Sequence, residues 1–152
     1  MCLGYSVESS INYAGGNPWV LLTSALAELL YRGASEIIAS EGRVLTGESL
    51  AAWGPALGID LAQMNATAAE GLGHAAVAAA MAGAGDGVLV RLHRHVQPNG
   101  FHLSEQIDRN TGVSMAAKDL TWSYANTLKA MHARSGYFDA VAARAEATTA
   151  TA

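Results

Sequence analysis

Alanine fills 31 of the 152 positions, and no run of residues alternates apolar and polar side chains over the length of a β-strand. Because strand signals of any length are absent, the chain is predicted to be all-α, and the alanine-rich residues 58–83 are interpreted as one or two helices packed closely through small side chains. Hydrophobic residues make up 51% of the sequence, but the alanines leave few large side chains for a core. A length of 152 residues fits one domain.

The balance of charges argues against two classes of partner. Nine Lys and Arg residues oppose 13 Asp and Glu residues, which gives a formal net charge of -4. Such a chain does not attract the phosphates of nucleic acid or an anionic membrane surface, so neither partner is predicted. The single cysteine, Cys2, excludes an internal disulfide, and the first ten residues do not have the pattern of a signal peptide.

Helical spacing of apolar residues, with start and stop signals, predicts about five helices. Asn17 and Pro18 fit the N-cap and first position of a helix that ends at Gly33. Residues 35–42 are predicted to continue this helix or to form a short second one, and further helical segments are predicted over residues 46–58, 58–83 and 86–96. In the last of these, Leu92 and Val96 share an apolar face.

The last strong helix is predicted to begin near Asp119 as its N-cap. Its apolar stripe consists of Leu120, Tyr124, Leu128 and Met131. Trp122 lies off this stripe, so it is interpreted either as a platform that stacks on a sugar or base, or as part of a helix buried all round. The alanine- and threonine-rich residues 136–152 have little to bury and are predicted to form a flexible tail.

Residues 97–118 form a 22-residue connection between two strong helices, longer than most ordered loops. Its apolar residues, which include Phe101, Leu103 and Ile107, are predicted to hold it in place. Glu105 lies at its centre beside Gln106. An ordered loop that presents a carboxylate next to an amide is typical of a polar ligand site, and a purely structural loop is the alternative.

Two other patterns do not predict chemistry. Residues 71–76 read GLGHAA, but no strand precedes them as a dinucleotide-binding turn requires, so the glycines are interpreted as helix-packing positions. His93 and His95 are two apart on a helix and face different sides, and His102 lies in the connection, so no shared metal ion is predicted. No cofactor and no metal are expected.

Three blocks carry a more specific signal: GGNPW at Gly15–Trp19, SEQIDR at Ser104–Arg109 and KDLTWSYA at Lys118–Ala125. The residues of these blocks, their order and their spacing resemble the C-terminal signature of glucoamylases, glycoside hydrolase family 15. The resemblance covers about residues 12–134, so residues 1–135 are interpreted as the C-terminal segment of a glucoamylase-like catalytic domain.

The resemblance implies part of an (α/α)6 barrel, with a sugar pocket formed by the loops at one end. It also implies inverting release of glucose from non-reducing ends, so the expected partner is a starch-like α-glucan or maltooligosaccharide. Inversion requires a carboxylic acid and a carboxylate base on opposite sides of the sugar. By resemblance Glu105 is the general base, and Gln106, Trp19 and Trp122 are substrate-binding residues.

The sequence also departs from the family pattern. The sugar-binding arginine expected before GNPW is absent from residues 4–9, and the serine that supports the base is replaced by Ala116 or displaced to Ser114. The family's general acid lies upstream of the segment that this chain resembles. Asp108 is too near Glu105 in sequence to replace it, and Asp119 is assigned to helix capping.

The sequence predicts about five helices, whereas an (α/α)6 barrel has twelve, and this difference implies that the chain is a fragment. The isolated chain is therefore predicted to be inactive and to self-associate through exposed helix faces. The resemblance implies that a parent enzyme is secreted or periplasmic. Two alternatives stay open: a non-catalytic helical remnant that binds glucan weakly or not at all, and a helical protein-interaction module.

Overall fold

The computed structural model describes residues 16–58 and 73–150. The helices within them are α1 (Val20–Ala39), α2 (Gly47–Leu57), α3 (Gly73–Val96) and α4 (Thr121–Ala150). Between α3 and α4 lie a 3-10 turn, Gln97–Asn99, and two short strands, β1 (Gln106–Ile107) and β2 (Ser114–Met115). The predicted all-α class is confirmed for these residues. Cys2, residues 4–9 and residues 59–72 lie outside the described residues.

The first of two compact units contains residues 16–28 and Asp86–Met131. Its core consists of Val20, Leu92, Val96, Leu103 and Ile107, with Tyr124 packed against it. The predicted apolar face of residues 86–96 is thus confirmed at Leu92 and Val96, where the end of α3 meets the connection to α4.

The second unit contains residues 29–58, 73–85 and 132–150. Its helices approach closely because glycines lie at the contacts. A Cβ atom on Gly85 would lie 2.9 Å from Cζ of the fully buried Tyr31, and one on Gly33 would lie 2.9 Å from Sδ of Met81. A larger side chain at either glycine would therefore displace Tyr31 or Met81.

The predicted start of the first helix is wrong, whereas its continuation past Gly33, one of the two alternatives for residues 35–42, is confirmed. α1 begins at Val20 rather than Pro18, and it continues through Gly33 to Ala39. Within the helix, Gly33 lies where Met81 occupies the space that a side chain would need. Asn17 does not cap the helix, since its amide is engaged by the connection described below.

The predicted N-cap of α4 is also wrong, and so is the predicted apolar stripe at Leu128 and Met131, although Tyr124 packs against the core of the first unit. Asp119 has a left-handed backbone with φ 57° and does not cap the helix, which begins at Thr121. Leu128 is 65% exposed and Met131 is 54% exposed. The buried face consists instead of Ser123, Thr127, Ala130, Ala133 and Tyr137.

The C-terminal residues are helical where the sequence predicts an irregular tail. α4 runs without interruption to Ala150. Tyr137 is buried, and Arg144 donates a 2.6 Å hydrogen bond to Glu41 within the second unit. These contacts give residues 136–150 more to pack against than their composition suggests, and their flexibility stays a prediction.

α3 and the turn after it, Gly73–Asn99, are long and apolar enough by length and composition alone to cross a membrane. The core helices of water-soluble proteins meet the same criterion. Val77 and Met81 are buried in the second unit, and Leu92 is buried in the first. The helix therefore carries packing contacts along its length.

Candidate active site

The connection between α3 and α4 is folded into a hairpin-like loop. β1 and β2 pair antiparallel, with Gln106 opposite Met115 and Ile107 opposite Ser114. Asp108 closes the turn, because its Oδ1 accepts hydrogen bonds from the backbone N–H groups of Asn110 (2.9 Å) and Thr111 (2.8 Å). Sequence patterns predict the ordered connection but not this strand pair, since two-residue strands leave no periodic signal.

The main chain of Glu105 is fixed from two directions. Its N–H donates to the carbonyl of Ala117 at 2.8 Å, and its carbonyl accepts from the N–H of Val20 at 3.1 Å. The residue is 7% exposed, and its Oε2 accepts from the N–H of Ala117 at 3.4 Å. The candidate base thus stands on a rigid backbone rather than on a loose loop.

The first turn of α4 holds the two residues that precede Glu105. The N–H of Leu120 donates to the carbonyl of Leu103 at 3.0 Å, and the N–H of Leu103 donates to the Tyr124 hydroxyl at 3.2 Å. The hydroxyl of the fully buried Ser123 donates to the carbonyl of Ser104 at 2.9 Å. Sequence patterns missed Ser123 and Tyr124 as partners of the loop, although both lie in the DLTWSYA block.

Gln106 is 1% exposed and lies against the GNPW block. Its Oε1 accepts from Nδ2 of Asn17 at 3.1 Å, and Asn17 also accepts from the N–H of Arg109 at 3.3 Å. Among the described residues, Nε2 of Gln106 is buried and has no hydrogen-bond partner. Asn17 is therefore a residue of the site, and the signal that could have shown this is its place in GNPW rather than its helix-capping propensity.

The structure brings three of the four predicted site residues together. The backbone of Trp19 forms an antiparallel bridge with Gln106, and the N–H of Ile107 donates to the carbonyl of Pro18 at 2.9 Å. This pairing places Trp19, Glu105 and Gln106 side by side. Trp122 lies in the first turn of α4, next to Ser123, with 69% of its surface exposed.

The two carboxylates nearest Glu105 in sequence are both held in the ionised form. Hydrogen bonds from Thr111 and Asn110 lower the pKa of Asp108. The Tyr124 hydroxyl and then the His102 ring lower the pKa of Asp119. A general acid must keep its proton until it reaches the leaving group, so neither group suits that role.

The remaining predictions for the connection have mixed outcomes. Leu103 and Ile107 are buried as predicted, whereas Phe101 is 53% exposed and rests at 5.3 Å from the His93 ring. The histidines turn to separate partners: His95 approaches the carbonyl of Gly112 at 3.2 Å, and His102 approaches Asp119. Phe101 thus lies at the surface, and its backbone is left-handed, with φ 65°.

Comparison with known proteins defines the class. Residues 8–132 match the family described as glycosyl hydrolases family 15, and the chain belongs to this family. It is 34% identical over 129 residues to the glucoamylase of Blastobotrys adeninivorans, an alignment that covers 84% of this chain and 20% of that protein. It is 32% identical over 144 residues to glucoamylase 1 of Rhizopus oryzae, an alignment that covers 88% of this chain and 22% of that protein.

The fold gives the same result. The solved structure of Hormoconis resinae glucoamylase superimposes with a TM-score of 0.66 at 28% identity, over 90% of this chain and 23% of that one. The fold is that of part of an (α/α)6 barrel. The chain spans about a fifth of the length of the curated relatives that it matches.

Proposed function

We propose that this chain supplies the general-base half of an inverting glucosidase site that removes glucose from the non-reducing ends of α-glucans. Glu105 takes the proton of the attacking water, while Gln106 and Trp19 bind the terminal sugar and Trp122 flanks it. The observation that carries the proposal is the buried Glu105–Gln106 pair. Gln106 is hydrogen-bonded to Asn17 of the GNPW block, and Ser104, the residue before the pair, is hydrogen-bonded to Ser123 of the DLTWSYA block. The names of the relatives supply the substrate class.

The amide of Gln106 supports a polar ligand at this place. A buried N–H donor that lacks an acceptor destabilises the fold, so such groups in native proteins usually meet a ligand or a bound water. A sugar hydroxyl or the attacking water at Nε2 would supply the acceptor. Because Oε1 is already bonded to Asn17, the orientation of the amide is set before the ligand binds.

An inverting site places its two carboxyl groups about 6.5–9.5 Å apart, so that water fits between the base and the sugar. Asp108 and Asp119 are held ionised by their hydrogen bonds and do not provide the acid. We therefore expect negligible release of glucose from maltose or soluble starch by the isolated chain. Hydrolysis by the purified chain at a rate typical of a glycosidase would contradict this expectation.

The role of Glu105 is tested by Glu105→Gln in a complete barrel that carries this segment. The amide keeps the shape but cannot accept the proton, so kcat should fall about 10²- to 10⁴-fold while KM changes little. Glu48→Gln, the same change in the first turn of α2, is the matched control and should leave both constants unchanged. A near wild-type kcat for Glu105→Gln would refute the assignment.

A helical interaction module is the second candidate function. The observation that favours it is the exposed apolar surface of Trp122, Leu128 and Met131 on α4. It predicts that glucan affinity is absent in a complete barrel and that association persists when Glu105 is replaced.

A further inference from the structure

The Asp119 carboxylate joins the connection between α3 and α4 to the first turn of α4. Its Oδ1 accepts a hydrogen bond from the Tyr124 hydroxyl at 2.6 Å and contacts Nδ1 of His102 at 2.7 Å. Its backbone is left-handed, with φ 57°, a conformation that aspartate and asparagine adopt more readily than other side chains. Asp119 thus links His102, which directly precedes Leu103, to Tyr124 in the first turn of α4.

The hydrogen bond to Asp119 orients the Tyr124 hydroxyl. A phenol has one proton to donate, and here it is donated to the carboxylate, which leaves the oxygen lone pairs for the N–H of Leu103 at 3.2 Å. The same bond raises the pKa of Tyr124, so the hydroxyl stays protonated. Removal of the carboxylate would free the hydroxyl to rotate.

Leu103 is the point at which the connection enters its buried stretch, two residues before Glu105. Its N–H donates to the Tyr124 hydroxyl in α4, and its carbonyl accepts from the N–H of Leu120, the residue before α4. Ser104 and Glu105 follow it directly in the chain, so a shift of Leu103 would strain the hydrogen bonds that hold Ser104 to Ser123 and Glu105 to Ala117 and Val20. Catalytic groups tolerate little displacement, since an error of about 1 Å can cost about 10²-fold in rate.

We propose that Asp119 is a positioning residue for Glu105 and acts through the Tyr124 hydroxyl and the Leu103 amide. The proposal rests on the proposed function, because it takes Glu105 as the base. Asp119 does not touch the sugar or the water in this scheme. Its contribution is to fix where the base carboxylate stands.

The hydrogen-bond chain is tested first in the 152-residue chain by amide hydrogen exchange. Tyr124→Phe removes the acceptor of the Leu103 N–H, and we expect exchange at Leu103 to accelerate about ten-fold, while the amides of Leu92 and Val96 keep their protection. Tyr137→Phe, the same change elsewhere on α4, should leave Leu103 unchanged. Unaltered exchange at Leu103 in Tyr124→Phe would overturn the proposal.

The positioning role is tested by kinetics in a complete barrel that carries this segment. Asp119→Asn keeps an acceptor oxygen and tolerates the left-handed backbone, whereas Asp119→Ala keeps neither. We expect Asp119→Ala to lower kcat about ten-fold with KM nearly unchanged, and Asp119→Asn to restore most of the loss. Wild-type kcat in Asp119→Ala, or equal losses in both variants, would overturn the proposal.

The two hypotheses fail in different ways. If Glu105→Gln abolishes turnover and Asp119→Ala does not reduce it, the positioning role is wrong and the assignment of the base stands. If Glu105→Gln leaves turnover intact, the assignment of the base is wrong, and the positioning role that depends on it is overturned as well.

Discussion

Ala116 carries a backbone strain that the hydrogen bonds of its neighbour explain. Its φ of 62° is left-handed, a region in which the Cβ atom of an L-residue is crowded by the following carbonyl. Ala117, the next residue, bonds Glu105 with both its N–H and its carbonyl. The turn at Ala116 allows Ala117 to face Glu105 with both groups, so the strain is located where the base is held.

Glycine at this position should relieve the strain. We expect Ala116→Gly to raise the free energy of unfolding by about 0.5 to 1 kcal/mol, because the steric relief exceeds the added entropy of the unfolded chain. Ala125→Gly, on the exposed surface of α4, is the control and should lower it by about 1 kcal/mol. Urea denaturation measures both. A loss of stability in Ala116→Gly would show that the left-handed turn is not strained.

The buried face of α4 shows where sequence patterns stop being informative. It consists largely of small or hydroxylated residues such as Ser123, Thr127 and Ala130, which periodicity does not count as core. Thr127 is buried because its hydroxyl pairs with that of Ser24 at 2.8 Å. Larger apolar residues such as Leu128 consequently face outward, and no local pattern predicts that reversal.

The connection between α3 and α4 was more predictable. Its apolar residues Leu103 and Ile107 indicated an ordered segment, and the placement of Glu105 beside Gln106 indicated a polar site. The contacts of Asn17 and Ser123 with this segment were not predictable from spacing, since they join parts of the chain that are far apart in sequence. Only the resemblance to family 15 suggested that these blocks act together.

Two glycines of α3 make a matched test of helix packing. Gly85→Ala would bring a methyl group 2.9 to 3.2 Å from the buried ring of Tyr31, and we expect a loss of about 1 to 3 kcal/mol in the free energy of unfolding. A methyl group on Gly87 would meet no side chain of the described residues within 4 Å, so Gly87→Ala should stabilise the helix by up to about 1 kcal/mol. Thermal denaturation of the two variants should therefore shift in opposite directions, and a stabilised Gly85→Ala would contradict this packing.

The shifted pKa values predict how the stability of the chain depends on pH. The pKa values of Glu41, Asp108 and Asp119 are lowered by their hydrogen-bond partners, so their stabilisation is present above about pH 4 and is lost as the pH falls through the lowered values. The pKa values of Tyr124 and Tyr137 are raised, so their contribution is present below about pH 10 and is lost above it.

We therefore expect the thermal midpoint to be highest between about pH 4 and pH 10 and to fall on both sides. Circular dichroism at a series of pH values measures it. Asp119→Asn should make the fall of the thermal midpoint below about pH 4 less steep, since it removes one of the carboxylates whose protonation causes that fall. A midpoint that rises as the pH falls below about 4 would be incompatible with these hydrogen bonds.

The exposed apolar side chains predict the behaviour of the chain in solution. Trp122, Leu128 and Met131 are each more than half exposed, and we expect the isolated chain to associate as its concentration rises. Sedimentation at several concentrations should show association. Leu128→Glu with Met131→Glu should reduce it, while Lys129→Glu should not. A concentration-independent monomer would contradict the prediction.

The hydrogen bonds that join distant parts of the first unit have a consequence for biosynthesis. Asn17 and Gln106 lie 89 residues apart, and Ser24 and Thr127 lie 103 residues apart. A ribosome adds about 5 to 20 residues per second, so the GNPW block waits about 5 to 20 s before its partners emerge. During that interval Val20 at the start of α1 lacks Leu103 and Ile107, its partners in the core of the first unit. The loop that bears the base is accordingly among the last parts of the molecule to take its final form.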